Sequence, residues 1–162
     1  MPTSVKTLIA SNLPLGYTGS QGATGYTGSW GGTALANVAM ANNNIINPVL
    51  TGYTEIEVSN TSTSGTWSMN CAAANFFELT LTGNTTISPS NVPPSTRVWS
   101  GTIAAKQDAT GGRTITWPSG TKWPGGSVPP ATTTANATDI WSLMTYDGGT
   151  TWVASLSVKN VA

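Results

Sequence analysis

From residue 61 onward, apolar and polar positions alternate with a period of two. Trp67, Met69 and Cys71 are separated by Ser68 and Asn70, and Phe77, Leu79 and Leu81 by Glu78 and Thr80. That period belongs to a strand with one buried face. Four later segments also read as strands: Val98–Lys106 with Trp99, Ile103 and Ala105 on one face, then Arg113–Trp117, Asp139–Tyr146 and Thr151–Val158. Turn chemistry separates them. Gly83-Asn84 marks a turn, Thr85–Ser88 is a short strand stopped by Pro89, Pro93-Pro94 marks a loop, and Asp108–Gly112 is another turn. Asp147-Gly148-Gly149 suits a hairpin, because glycine tolerates positive φ. No helix-length segment lies between strands, so a βαβ fold is excluded. The pattern predicts an all-β head over residues 61–162. The expected form is an antiparallel β-sandwich of jelly-roll kind.

The first 60 residues follow other rules. Residues 1–15 hold a small apolar patch of Leu8, Ile9 and Leu13, too small for a core and suited to anchoring on a larger partner. Residues 16–31 place glycine at a strict spacing of three: Gly16, Gly19, Gly22, Gly25, Gly28 and Gly31. A collagen triple helix needs that spacing, because only hydrogen fits at its crowded axis. One chain cannot form such an axis, so the pattern predicts a homotrimer with a short collagen-like stem. No proline occupies the other triplet positions, and a loosely wound extended linker is the competing reading. Trp30 would plug the base of three joined heads. Residues 32–60 are transitional: an alanine-rich helical turn at Ala34–Ala41, then extended chain through Pro48, then a first short strand at Glu55–Val58.

Composition narrows the function. Only 7% of the 162 residues are charged and the formal net charge is zero, against about a quarter charged in ordinary domains. The six Lys and Arg residues are scattered, which excludes nucleic-acid binding as a main function. No apolar run approaches the length of a membrane-spanning helix, and no membrane insertion is expected. Histidine is absent and cysteine occurs once, so neither an internal disulfide nor a Cys/His zinc site is expected. Cys71 reads as a small core hydrophobe.

No catalytic constellation emerges. The acids are Glu55, Glu57, Glu78, Asp108, Asp139 and Asp147, and the aspartates at 108 and 147 take turn positions. A Ser-His-Asp triad is impossible without histidine, and neither a phosphate-binding loop nor a calcium loop is present. No cofactor is expected, and polysaccharide depolymerisation is a remote alternative. Tryptophan is abundant, with seven residues. Trp67, Trp99, Trp117 and Trp152 lie beside apolar neighbours and read as core. Trp123 lies in TWPSGTKWPGGSVPP, a loop stiffened by prolines. There it either covers the end of the sandwich or stacks on a sugar ring. In the second reading the glycan contacts would be Trp123, Lys122, Tyr146 and Asp147.

The run GYTGSQGATGYTGSWG resembles the GYTGS repeats of virion structural proteins from tailed phages that infect cyanobacteria. The stretch from Phe76 to Trp152 resembles a domain shared by phage tail-fibre and head-fibre or decoration proteins. The residues that carry this are Lys106-Gln107-Asp108, Gly111-Gly112-Arg113, Thr116-Trp117-Pro118, Lys122-Trp123-Pro124-Gly125-Gly126 and Asp147-Gly148-Gly149-Thr150-Thr151-Trp152. The resemblance implies a trimeric appendage on the virion surface, with an outward β head. Its N-terminus would be anchored to capsid or to tail and baseplate proteins. Some such proteins bind host surface glycans and others decorate the particle. The single brief stem points to a short fibre or decoration over a long distal fibre.

Overall fold

The computed structural model describes residues 51–161. Leu8, Ile9 and Leu13, the glycines from 16 to 31, Trp30 and the segment from 34 to 50 lie outside the described residues. Seven strands follow in chain order: β1 Glu57–Asn70, β2 Phe76–Ser90, β3 Trp99–Gln107, β4 Ile115–Thr116, β5 Thr121–Lys122, β6 Thr138–Thr145 and β7 Trp152–Val161. They hydrogen-bond in the order β1-β2-β3-β6-β7-β5, with β4 beside β2. The only helical feature among the described residues is a 3-10 turn at Pro124–Gly126. The expected all-β architecture is present.

The connections differ from the expectation. β1 pairs with β2 in parallel, Glu57 opposite Phe76 and Asn70 opposite Ser90. β2 pairs with β3 in parallel, Phe76 opposite Thr102. Asn70 and Phe76 are only six residues apart, a reach of at most about 22 Å. A straight β1 would hold Asn70 more than about 40 Å from Glu57, and so from Phe76 beside it. The strand must therefore fold back on itself. The ladder slips between Asn60 and Gly65. Gly65 takes φ 66°, a left-handed conformation that glycine adopts without steric cost. The equivalent corner of β2 stacks directly above: a Cβ on Gly83 would come within 2.9 Å of the Ser64 Cβ.

Side-chain contacts give the same result independently. Trp67 pairs along the ladder with Ile87, and Phe77 with Val58. Yet the Trp67 and Phe77 rings meet edge-on with centroids 5.4 Å apart. The two halves of each coil thus face each other across the core. One layer consists of residues 57–60, 76–81 and 102–107, extended by the antiparallel β6 and β7. The other consists of residues 65–70, 85–90 and 115–116. Phe77, Leu79, Leu81, Ile103 and Trp141 line the first layer's inner face, and Met69 and Ile87 reach toward them from the second.

The antiparallel jelly-roll pairing thus gives way, over β1 to β3, to coils stacked in parallel. Antiparallel pairing holds from β3 to β6 and from β6 to β7, including the hairpin at Asp147-Gly148-Gly149. The physical reason is that alternation records only which face is buried. It is the same for a strand beside a parallel or an antiparallel neighbour. Parallel neighbours need a crossover of about a dozen residues or more. Here residues 61–75 are that crossover, and they form the second layer as they pass.

Side-chain clamps hold the third coil where its sheet pairing is short. The buried Gln107 donates from Nε2 to the carbonyls of Arg113 (2.9 Å) and Thr132 (2.8 Å), and its Oε1 accepts from the Arg113 N–H (2.9 Å). Asp108 Oδ1 accepts from the N–H groups of Thr110 and Gly111, while Oδ2 takes Arg113 Nη2 at 2.8 Å. The Asp108 N–H donates to Leu81 O at 3.2 Å, tying this turn to the coil beneath. A side chain on Gly111 would run into the Thr133 carbonyl oxygen and the Ala135 nitrogen, whereas one on Gly112 would meet open space.

Two outcomes check this reading. A double-mutant cycle on Trp67→Leu and Phe77→Leu should give a coupling of about 0.5–1.5 kcal/mol in urea denaturation. A straight β1 would give none. Both Gly111 and Gly112 have positive φ, so alanine is strained at either. Gly111→Ala should cost about 1–3 kcal/mol more than Gly112→Ala, from overpacking alone.

Candidate functional site

The proline-stiffened loop and the β6–β7 turn meet at one end of the head. Thr121 and Lys122 of β5 pair with Trp152 and Val153 at the start of β7. The two backbones approach so closely at Gly120 that a Cβ there would lie 2.5 Å from the Thr150 oxygen. Trp123, Lys122, Tyr146 and Asp147 are therefore carried by two adjoining segments. Lys122 and Tyr146 are exposed, and Trp123 and Asp147 are half-buried.

Trp123 is part of an aromatic cluster. Its ring lies 5.2 Å from Trp117 and 5.6 Å from Trp141, edge-on to both, and Trp117 lies 4.8 Å from Trp141. Trp141 is fully buried, while the other two keep part of their surface in solvent. Its Nε1 has no hydrogen-bond partner. The repeated Trp-Pro dipeptide thus sets two rings on a third, that of Trp141 on β6. The loop closes on itself through Thr121 Oγ1, which donates to Pro118 O at 2.6 Å, and the Gly126 N–H, which donates to Trp123 O at 3.0 Å.

Asp147 is engaged within its own turn. Oδ1 accepts from the Thr151 N–H at 2.8 Å and from Thr145 Oγ1 at 3.1 Å. Thr145 Oγ1 in turn accepts from Gly149 N–H, and Trp152 Nε1 donates to Gly149 O. The Thr151 N–H holds the Asp147 carboxyl below its ordinary value of 3.8. Asp108 is lowered likewise, first by its hydrogen bond from Arg113 and further by the N–H groups of Gly111 and Thr110. Cys71 lies buried with Sγ toward Met69 O, and burial pushes its thiol up to about 11. This matches the expected core role.

A second feature was not legible from the alternation. On the outer face of the second layer, Thr66 lies opposite Thr86 and Thr86 opposite Thr116, while Ser68 lies opposite Ser88. Strand neighbours sit about 4.8 Å apart, so the hydroxyls form a regular ladder. Beside it is a shallow cleft of about 420 Å³ lined by Thr86, Ser88, Ser119, Trp117 and the glycines of the 148–149 turn. The signal was present as Thr-x-Ser in residues 66–68 and 86–88, but only the parallel register lines the two up. Among the described residues, no group of three or more His, Cys, Asp or Glu is placed to hold a metal ion.

Stacked parallel coils, side-chain-clamped turns and a hydroxyl-rich outer face make up an all-β domain. Residues 61–151 match the family described as "Putative phage tail fibre C-terminal domain". The match covers more than half of the 162 residues, and the chain belongs to this family. No curated protein and no solved structure matches the chain. The family is consistent with a structural, virion-associated role and a location on the particle surface.

The lowered aspartates make an acid-limb prediction. A carboxyl with a lower pKa folded than unfolded contributes stability above its unfolded value, and loses it as pH falls through the folded one. Stability should hold from neutrality to about pH 5 and then decline. The Asp108→Asn/Asp147→Asn variant should show a shallower decline in urea midpoint against pH. An unchanged acid limb would contradict the assignment.

Proposed function

We propose that the chain is a virion structural protein forming a short homotrimeric surface fibre or decoration on a tailed phage. The N-terminal segment with Leu8, Ile9 and Leu13 anchors it to capsid or tail and baseplate proteins, and the β head faces outward. The observation that carries this reading is the match of residues 61–151 to a tail-fibre domain family. The trimer rests on the glycine spacing from Gly16 to Gly31, which serves an axis that only three chains create. The near-absence of charge leaves little repulsion between copies.

A second reading has a specific observation in its favour. Trp123 keeps part of its surface in solvent beside the exposed Lys122. A solvent-facing aromatic residue suits a sugar ring, so the head would also bind host surface polysaccharide.

Light scattering on the full chain should give three times the chain mass. Gly22→Ala/Gly25→Ala should lower the temperature at which that species dissociates. A mass of one or two chains overturns the trimer. Particles carrying Trp123→Ala should assemble normally and, on the second reading, lose at least tenfold in adhesion to host cells. Unchanged adhesion overturns that second reading and leaves the structural one standing.

A further inference from the structure

Among the described residues, the first layer ends in two bare strand edges. Among the described residues nothing pairs with the outer side of β1, and nothing pairs with the outer side of β7 beyond Val153. Unpaired edges present a row of N–H and C=O groups to any strand that approaches, and proteins usually block them with proline, charge or a covering segment. Neither β1 nor β7 contains proline, and β7 carries one lysine. Ser157–Val161 is exposed at every residue although it is held in the ladder with β6. Val158 and Val161 are 45% and 47% exposed there, and Ile56, beside the start of β1, is 71% exposed.

The two edges differ in charge. Glu57 lies on β1, Glu55 just before it and Glu78 on the adjoining β2, with no base among them. At the other end of the sheet order Lys159 lies on β7 and Lys122 on β5 beside it, both exposed. The one acid of the adjoining β6, Asp139, is buried and engaged by the N–H groups of Thr132 and Asn160. They also run in the same direction: β1, β2 and β3 are parallel, β6 reverses, and β7 reverses again. A cyclic trimer cannot use one self-complementary patch. Each contact joins two different surfaces of identical chains, head to tail around the axis. Three chains wound in parallel also bring strands of the same sense side by side.

We infer that the β1 edge of one head docks on the β7 edge of the next, in parallel, so that the heads close around the axis of the proposed trimer. The occupant of each edge is a second copy of this chain. Opposite charge selects the pairing of unlike edges, since β1 against β1 would set glutamates together. The inference rests on the homotrimer reading and adds the surface that joins the heads.

The test uses the full chain with Ser59→Cys, with Ser157→Cys, and with both, each treated with a bis-maleimide while light scattering reports the mass in parallel. Cys71 is buried and leaves the new thiols as the reactive ones. The double variant should give covalent species up to three chains on a denaturing gel, and each single variant none. A trimeric mass without cross-linking overturns this inference and leaves the trimer standing. Covalent dimers from either single variant overturn it in favour of like-edge contact, and a non-trimeric mass overturns both. Charge swapping at low ionic strength, where the screening length is long, gives a second check. Glu57→Lys should raise the dissociation constant of the assembly several-fold at low salt, and adding Lys159→Glu should restore it. Failure of that restoration also overturns the pairing.

Discussion

The head depends on a fold-back within its first two strands. A chain that places Phe76 beside Glu57 only six residues after Asn70 cannot run straight between them. The reversal near Gly65 brings Trp67 against Phe77 and turns one long ribbon into two layers facing each other. The shared core follows from that: Met69 and Ile87 contribute from one side, and Leu79, Leu81 and Ile103 from the other. Without the corner, every inward residue of β1 would face solvent on a flat ribbon.

The later part of the chain relies on side-chain chemistry where sheet pairing is short. β4 and β5 have two residues each, too few to hold their loops by ladder bonds. Gln107 and Asp108 tie the turn before β4 to the coil below, and the Trp117–Trp123–Trp141 cluster seats the proline-rich loop that carries β5. A second aromatic contact, Trp99 edge-on to Trp152 at 5.7 Å, fixes the start of β3 against the start of β7. The residues that mark the family resemblance are in large part these clamps. This explains why Asp147 and Asp108 carry lowered pKa values without forming a catalytic pair: their partners are backbone N–H groups, hydroxyls and Arg113.

Such a body suits an appendage. Parallel stacking makes each coil a template for the next, and opposite-facing layers leave regular polar surfaces outside. The Thr66–Thr86–Thr116 ladder is one such surface. The proposed trimer would use the remaining open edges, where backbone groups and opposite charges are available at the two ends of one sheet.

The sequence by itself determined the all-β class, the buried faces at Trp67–Cys71, Phe77–Leu81 and Trp99–Ala105, the hairpin at Asp147-Gly148-Gly149 and the core role of Cys71. It did so because alternation and turn residues act over a few positions. The turn read at Gly83-Asn84 and the stop read at Pro89, however, lie inside one continuous β2. The proline-stiffened aromatic loop around Trp123 was legible too. Tertiary structure alone decided that β1 to β3 stack in parallel, that Gly65 is a corner, and that Thr66, Thr86 and Thr116 stand in line. These depend on contacts between residues 18 to 30 positions apart, and a period of two is blind to which strand lies alongside and in which direction it runs.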